Sequence, residues 1–260
     1  MKYTDITFDI RNHVAYITIN RPEVMNAFRG RTCDELIHAL HSAGYNNDVG
    51  AIVLAGAGDR AFCTGGDQSV HDAQYDGRGT IGLPVEELHT AIRDVPVPVI
   101  ARVQGYAIGG GNVLATICDF TICSESAIFG QVGPKMGSVD PGFGTAYLSR
   151  VVGEKKAREI WYLCRRYSGK EAEAMGLANI CVPNEDLDAT VAEWAEEICE
   201  RSPTAIAIAK RSFNMDTAHQ AGIAGMGMYA LKLYYDTEES KEGVNALAEK
   251  RAPRFREVRS

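Results

Sequence analysis

The chain has 260 residues, of which 45% are apolar, and a formal net charge of −7. That length and composition suit one large domain with a substantial core, and the acidic balance argues against nucleic acid as a partner. No uncharged apolar run approaches a membrane span, and the opening MKYTDITFDIRNHV lacks the apolar stretch of a secretory leader.

Seven cysteines are scattered without a CxxC pair or zinc-ligand spacing. They read as reduced, mostly buried thiols of a soluble cytoplasmic protein, with no metal site and no membrane partner. Cys63 lies in a glycine turn, but no histidine close in sequence supports a nucleophilic role, so packing is the expected one.

Residues 3–10 and 13–20 alternate apolar and polar residues around Arg11 and Asn12 and predict a β-hairpin. Residues 31–45 carry Leu36, Ile37, Leu40 and Ala43 at helical spacing, and 51–54 read as a buried strand. The glycine-rich stretch 57–83 reads as a long functional loop. Pro84 opens a helix to Asp94, followed by a strand over 99–103 and a helix over 110–118. Short strands are expected at 119–123 and 127–129, then a loop, helices at 143–151, 154–166 and 170–176, and a strand at 179–183. Helices at 185–201, 203–213, 219–235 and 238–249 complete the chain. Strand–helix alternation followed by helices alone predicts an α/β core over 1–200 and a helical region over 201–260. The segment AGIAGMGMYALKLYY (221–235), rich in small residues and Met, is expected to pack closely on another surface, such as a neighbouring subunit.

Two glycine turns dominate the chemistry: CTGGDQ (63–68) and GYAIGGG (105–111), each following a strand-like apolar run at 50–55 or 98–103. Glycines there let the backbone approach a ligand and present N–H groups to it, so the pair could hold one developing oxyanion. The second turn opens a helix and gains the positive end of its dipole. GAGDRA (56–61) formally matches a dinucleotide fingerprint, with Asp76 near the place of the ribose acid. It is followed by a second turn rather than by a helix, which counts against a dehydrogenase. A P-loop fails because neither turn ends in Gly-Lys-Ser/Thr.

At these residues the chain resembles the crotonase (enoyl-CoA hydratase/isomerase) superfamily. The matching pieces are NRPEVMNAF, AIVLAGAGDRAFCTGGD, PVIARVQGYAIGGG, CDFTICSESAIFGQ and SGKEAEAMGLANICVP, in family order along nearly the whole chain. The resemblance implies an α/β spiral of ββα repeats with a C-terminal helical region, assembled as a homotrimer or a hexamer of two trimers. It implies an acyl-CoA substrate whose thioester oxygen is held by the N–H groups of Gly66 and Gly110. CoA would lie along Val24, Met25, Ala27 and the turn residues Thr64, Gly65, Asp67 and Gln68. No cofactor beyond the substrate's own coenzyme A is implied. The basic tail KRAPRFREVR would contact CoA phosphates across a subunit interface or be a solvated tail.

The two glutamates of enoyl-CoA hydratases are absent, their positions being Val113 and Gly133, so simple hydration lacks its acid/base pair. GPKMGSVDPGFG (133–144) and YYDTEES (234–240) look like the 1,4-dihydroxynaphthoyl-CoA synthase branch. By that resemblance Ser138, Asp140 and Tyr235 are catalytic, with Tyr235 reaching a neighbouring subunit's site and Gly133 leaving room for an ordered water. The whole chain is most similar to the 2-ketocyclohexanecarboxyl-CoA hydrolases, which implies ring opening of a cyclic β-keto acyl-CoA by water. A ring-closing synthase and a non-catalytic acyl-CoA binder are the alternatives. GLPVEELHTAIRD (82–94) is more polar than its counterpart in the synthases. Its His89 is a candidate for the substrate pocket, and its Glu86 reads better as part of a solvated helix face.

Overall fold

The computed structural model describes residues 1–68 and 77–258. Strands β1 (Ile6–Arg11) and β2 (Val14–Ile19) pair antiparallel with Arg11 opposite Val14. The two residues between them, Asn12 and His13, both have positive φ, at 51° and 63°. That geometry matches the right-handed twist of the flanking strands and fixes the register of the hairpin.

A short 3-10 turn at Pro22–Val24 leads to α1 (Gly30–Gly44), and β3 (Ala51–Gly56) follows, buried along its whole length. The fully apolar run AIVLAG is what a central parallel strand requires, because both of its faces are covered. Ala51 and Val53 face one hydrophobic layer, while Ile52 and Leu54 face the larger core. After β4 (Ala61–Cys63) come α2 (Val85–Asp94), β5 (Val99–Val103), β6 (Tyr106–Ile108) and α3 (Gly110–Ile117). Then follow β7 (Phe120–Ser124), β8 (Ile128–Gly130) and the single turn α4 (Gly133–Met136).

The helix expected over 143–151 is a π-helical turn, Phe143–Tyr147, continued by α5 (Leu148–Val152). The helix expected over 154–166 stops early. α6 (Glu154–Leu163) ends at Cys164, whose φ of 49° is left-handed, and the chain then enters β9 (Arg166–Ser168). Ser168 and Glu171 cap α7 (Gly169–Ala174) reciprocally, and β10 (Ile180–Val182) closes the strand-bearing part.

Two sheets result. The six-stranded one has the order β1-β2-β3-β5-β7-β10, parallel except for β1. α8 (Leu187–Cys199), entered through a 3-10 turn at Asn184–Asp186, covers one face through Leu187, Val191 and Ala195. The four-stranded sheet has the order β4-β6-β8-β9, with β9 antiparallel to β8. This second sheet positions the site: pairing of β4 with β6, Cys63 opposite Ala107, brings the two glycine turns side by side. The stretch 57–83 is thus not loop throughout, because β4 lies within it.

The last helices are α9 (Pro203–Asp216), α10 (His219–Tyr235), α11 (Glu238–Ala248) and α12 (Phe255–Val258). No described helix is long and apolar enough to cross a membrane. α9 is fastened by Lys210, which is 6% exposed. Its ammonium donates to the carbonyls of Ile92 and Val97 at 3.0 and 2.9 Å and to Asp119 Oδ2 at 2.7 Å. Nearby, the buried Arg93 guanidinium donates to Thr217 Oγ1 at 2.6 Å, and the Asn214 amide donates to the Arg93 carbonyl. A buried ammonium with all three protons placed is a fastening that an apolar side chain of similar length cannot replace, because its partners would be left dry. Lys210→Met is therefore expected to lower the unfolding free energy by about 3 kcal/mol. Urea unfolding measures this, and unchanged stability would show that α9 is held by its apolar contacts instead.

Candidate active site

The two turns are in contact. A Cβ at Gly111 would lie 1.9 Å from the Cys63 carbonyl oxygen, and one at Gly110 would lie 2.7 Å from the Phe28 ring. A Cβ at Gly65 would lie 2.9 Å from the Gly110 nitrogen. Gly65 and Gly109 adopt φ of 88° and 58°, which an L side chain resists. Gly110 is the first residue of α3, so its N–H has no partner in the helix ladder and sits at the positive end of the helix. Beside it, the Phe28 N–H donates to the Gly65 carbonyl and the Asp67 N–H donates to the Phe28 carbonyl, both at 2.8 Å. By strand alternation the Gly66 N–H then points away from Phe28. Gly66 and Gly110 both line a cavity of about 350 Å³. The backbone thus brings Gly66 and Gly110, one from each glycine turn, to the same cavity.

The NRPEVMNAF segment is pinned onto these turns. Arg21 donates to the Ala27 carbonyl at 2.6 Å and to Asp67 Oδ2 at 2.8 Å. The Asn26 amide donates to the carbonyls of Ala57 and Ala61, and the Thr64 hydroxyl donates to the Met25 carbonyl at 3.3 Å. Of the residues expected along CoA, Thr64, Gly65 and Gln68 line the cavity. Val24 and Met25 are partly exposed and do not line it, Ala27 is buried, and the Asp67 carboxylate is paired with Arg21.

The same cavity is lined by Gly133, Ser138, Asp140 and Tyr235. The hydroxyls of Ser138 and Tyr235 are 2.8 Å apart, within one chain. The expected reach of Tyr235 into a neighbour's site is therefore corrected: α10 folds back over the GSVD loop of its own chain. Burial raises the Tyr235 phenol above its ordinary value, with the Ser138 hydrogen bond opposing. Asp140 Oδ1 accepts the Gly144 N–H at 3.0 Å. Asp140 opens into the cavity but is otherwise surrounded by protein. Burial pushes its carboxyl up to about 7, opposed by the Gly144 hydrogen bond and assisted by the negative charge of Glu86.

Gly133 lines the cavity but has no room for a side chain. A Cβ there would lie 2.5 Å from the Ser138 carbonyl oxygen and 2.8 Å from the Trp161 ring. Trp161 Nε1 in turn donates to the Gly144 carbonyl. Val113 is fully buried in the core and does not line the cavity. Neither hydratase position therefore has a carboxylate or space for one.

His89 is buried, packs edge-on against Phe143 at 5.6 Å and does not line the cavity. Burial alone lowers its imidazole to about 4, so it is neutral at pH 7. Glu86 is half-buried and accepts the Thr80 hydroxyl at 2.9 Å, so it is not part of a solvated face. Cys63 is buried with its thiol pushed up to about 12, which fits packing and not nucleophilic attack. GAGDRA runs from β3 into β4 and opens no helix, while Asp76 lies outside the described residues. In the tail, Arg251 is paired with Glu242 and Glu249.

The sequence reading missed much of the apolar wall: Phe28, Leu83, Val85, Trp161, Met228 and Leu231. These residues come from separate elements, and their helical spacing signals only burial. Arg166 was also missed. It is the one basic residue among the described lining residues, and it rests over the Tyr106 ring at 5.3 Å.

Comparison with known proteins agrees with this geometry. The enoyl-CoA hydratase/isomerase family model matches residues 9–258. An enoyl-CoA hydratase from Mycobacterium avium subsp. paratuberculosis K-10 superposes with a TM-score of 0.86 at 27% identity, over 98% of this chain and 99% of that one. A carnitinyl-CoA hydratase from Mycobacterium avium gives 0.87 at 28% identity, over 97% and 98%. A monofunctional enoyl CoA isomerase from M. smegmatis gives 0.72 at 31% identity, over 82% and 94%. With its two-sheet core, C-terminal helices and paired glycine turns, the chain belongs to the enoyl-CoA hydratase/isomerase family, the crotonase superfamily.

Proposed function

We propose that this protein is a ring-opening hydrolase of a cyclic β-keto acyl-CoA, with 2-ketocyclohexane-1-carboxyl-CoA as substrate and pimeloyl-CoA as product. The observation that carries the reading is the makeup of the cavity wall. Asp140 is the one carboxylate among the described lining residues, and it shares the cavity with the Ser138–Tyr235 hydroxyl pair and with Gly66 and Gly110. One carboxylate titrating near neutrality suits a reaction in which a single group first takes and later returns a proton.

In this mechanism the thioester oxygen accepts the Gly66 and Gly110 N–H groups. Asp140 takes a proton from water as the water oxygen bonds to the ring ketone carbon C2. The hydroxyls of Ser138 and Tyr235 donate to the alkoxide that forms. Collapse of the adduct breaks the C1–C2 bond, leaving a carboxylic acid at C2 and sending the bonding pair into a thioester enolate held by the cradle. The protonated Asp140 then returns its proton to C1. The balance is one water added, with no oxidation or reduction. Loss of one cradle donor would cost roughly 10²–10³ in rate.

Incubation with 2-ketocyclohexanecarboxyl-CoA followed by mass spectrometry tests the assignment, and a gain of one water is expected. Conversion of succinylbenzoyl-CoA instead would identify a ring-closing synthase, and binding without turnover of either would identify an acyl-CoA binder. Asp140→Asn is expected to reduce kcat by roughly 10²–10⁴ with the fold intact. Near-wild-type turnover in that variant would remove Asp140 from the mechanism. Because a base must be ionised, kcat/KM of the native enzyme is expected to rise with pH through about 7 and then level off.

The reading includes assembly as a homotrimer or a hexamer. Met226, Tyr229 and Leu233 form a stripe on α10 that is 76, 66 and 72% exposed. Their spacing puts them on one helix face, opposite the buried Ala224, Met228 and Leu231, and so large an apolar face calls for a second copy. The double variant Met226→Glu, Leu233→Glu is expected to sediment as a smaller species than the native protein. Unchanged sedimentation would place the interface elsewhere.

A further inference from the structure

Three cationic side chains are buried among the described residues, and two of them meet a carboxylate. Arg21, 8% exposed, lies 2.8 Å from Asp67, and Lys210, 6% exposed, lies 2.7 Å from Asp119. Arg93 of α2 is 7% exposed and has no ion pair among the described residues. Its guanidinium donates to Thr217 Oγ1 at 2.6 Å and rests over the rings of Phe143 and Tyr147, 5.3 and 4.6 Å from their centres. These contacts restore part of the hydration that burial removes, but they bring no counter-charge. Buried charges in folded proteins are paired as a rule, because an unpaired one is costly.

Space for a counter-charge lies beside it. Arg93, Thr217 and Phe143 line a cavity of about 210 Å³ between α2, α9 and the start of α10, which shares no lining residue with the cavity of the glycine turns. Arg211 and Asp94 also line it and meet at 3.4 Å, so their charges offset each other and the Arg93 charge is left over. No nitrogen of Arg93 is both sealed from solvent and without a partner, so the N–H groups not given to Thr217 reach open space. Ala218 and Ala221 bring the first turn of α10, the positive end of a 17-residue helix, to the same cavity. We propose that this cavity binds one oxyanion, a carboxylate or phosphate group, on the Arg93 guanidinium. The planar fork of a guanidinium matches two oxygens of such a group. An anion held there ties α2 to the start of α10 and completes the docking of the C-terminal helices that Lys210 begins. A free anion and a carboxylate side chain of a second copy supply the same chemistry.

The test needs no substrate and does not depend on the proposed reaction. Inorganic phosphate and acetate are titrated calorimetrically into the native protein, Arg93→Gln and Ala221→Glu, with sodium chloride as the ionic-strength control. Circular dichroism checks the fold of each variant. One site per chain is expected in the native protein, weakened roughly tenfold or more in Arg93→Gln. Ala221→Glu, which offers a carboxylate from the first turn of α10, is expected to lose the site while keeping the guanidinium. The native melting temperature should rise with phosphate beyond the effect of chloride, and that of Ala221→Glu should not. If the occupant is a carboxylate of a second copy, added anion does not bind, and either folded variant sediments as a smaller species than the native protein. Binding that is equally strong in Ala221→Glu overturns the proposal. So does an absence of anion binding together with native sedimentation of Ala221→Glu, a result that stands even if Arg93→Gln does not fold.

Discussion

The arrangement depends on the contact between two backbone turns. Gly111 has no room for a Cβ because the Cys63 carbonyl occupies the place, and Gly65 and Gly110 exclude side chains from each other's space. Backbone packed against backbone in this way leaves little freedom for either N–H to reorient. A preorganised donor pair needs no rearrangement as charge develops, which is why such pairs contribute so much in water-poor sites. The rest of the local structure protects this contact. Pairing of β4 with β6 sets the turns at one height, Arg21 ties Asp67 to the Ala27 carbonyl, and the Phe28 ring closes over Gly110.

The opposite wall is built differently, from parts far apart in the chain. Ser138 and Asp140 sit on a loop bracketed by the one-turn helix α4 and a π-helical turn, and Tyr235 ends a long helix. Neither short element is stable alone, so the wall takes its shape from packing. Pro141 and Gly142 meet the small residues of α10, and Trp161 reaches across to the Gly144 carbonyl. α9, which leads into α10, is in turn fixed by the three hydrogen bonds of Lys210. A rigid cradle thus faces a wall whose geometry depends on the docking of the C-terminal helices.

Much of the first sheet was legible in the sequence because its signals are local. Strict alternation marked β1 and β2, an unbroken apolar run marked β3, and Pro84 marked the start of α2. Of the second sheet only β8 was legible, since β4, β6 and β9 have three residues each and carry no period. Their pairing is long-range, so the sequence showed the two glycine turns without showing what joins them. That Gly66 and Gly110 belong together was legible through the turn chemistry of glycine, and that Ser138, Asp140 and Tyr235 share their cavity was implied by resemblance. Trp161, Phe28 and Met228 were not, because a residue lining a cavity and a residue filling a core have the same helical or strand spacing. Gly133 shows the same limit from the other side. A missing side chain reads the same whether its place is open or filled, and here the Ser138 carbonyl and the Trp161 ring stand where a Cβ would go.

The pattern of charge explains why one fold can leave out both hydratase glutamates and still be equipped for acyl-CoA chemistry. Hydration of an enoyl thioester delivers a hydroxyl to one carbon and a proton to its neighbour, and two carboxylates divide that work. Hydrolytic C–C cleavage separates the two proton transfers in time, since the enolate forms only after the adduct collapses. One carboxyl can then serve both steps, provided its affinity for the proton lies near the working pH. An aspartate in an ordinary solvated position would not meet that condition. Asp140 is brought to about 7 by burial, with Glu86 adding to the effect and the Gly144 N–H limiting it. The apolar side chains around it, from Val85 to Met228, therefore do more than shape the cavity: they supply the desolvation that the proposed single-carboxyl mechanism requires.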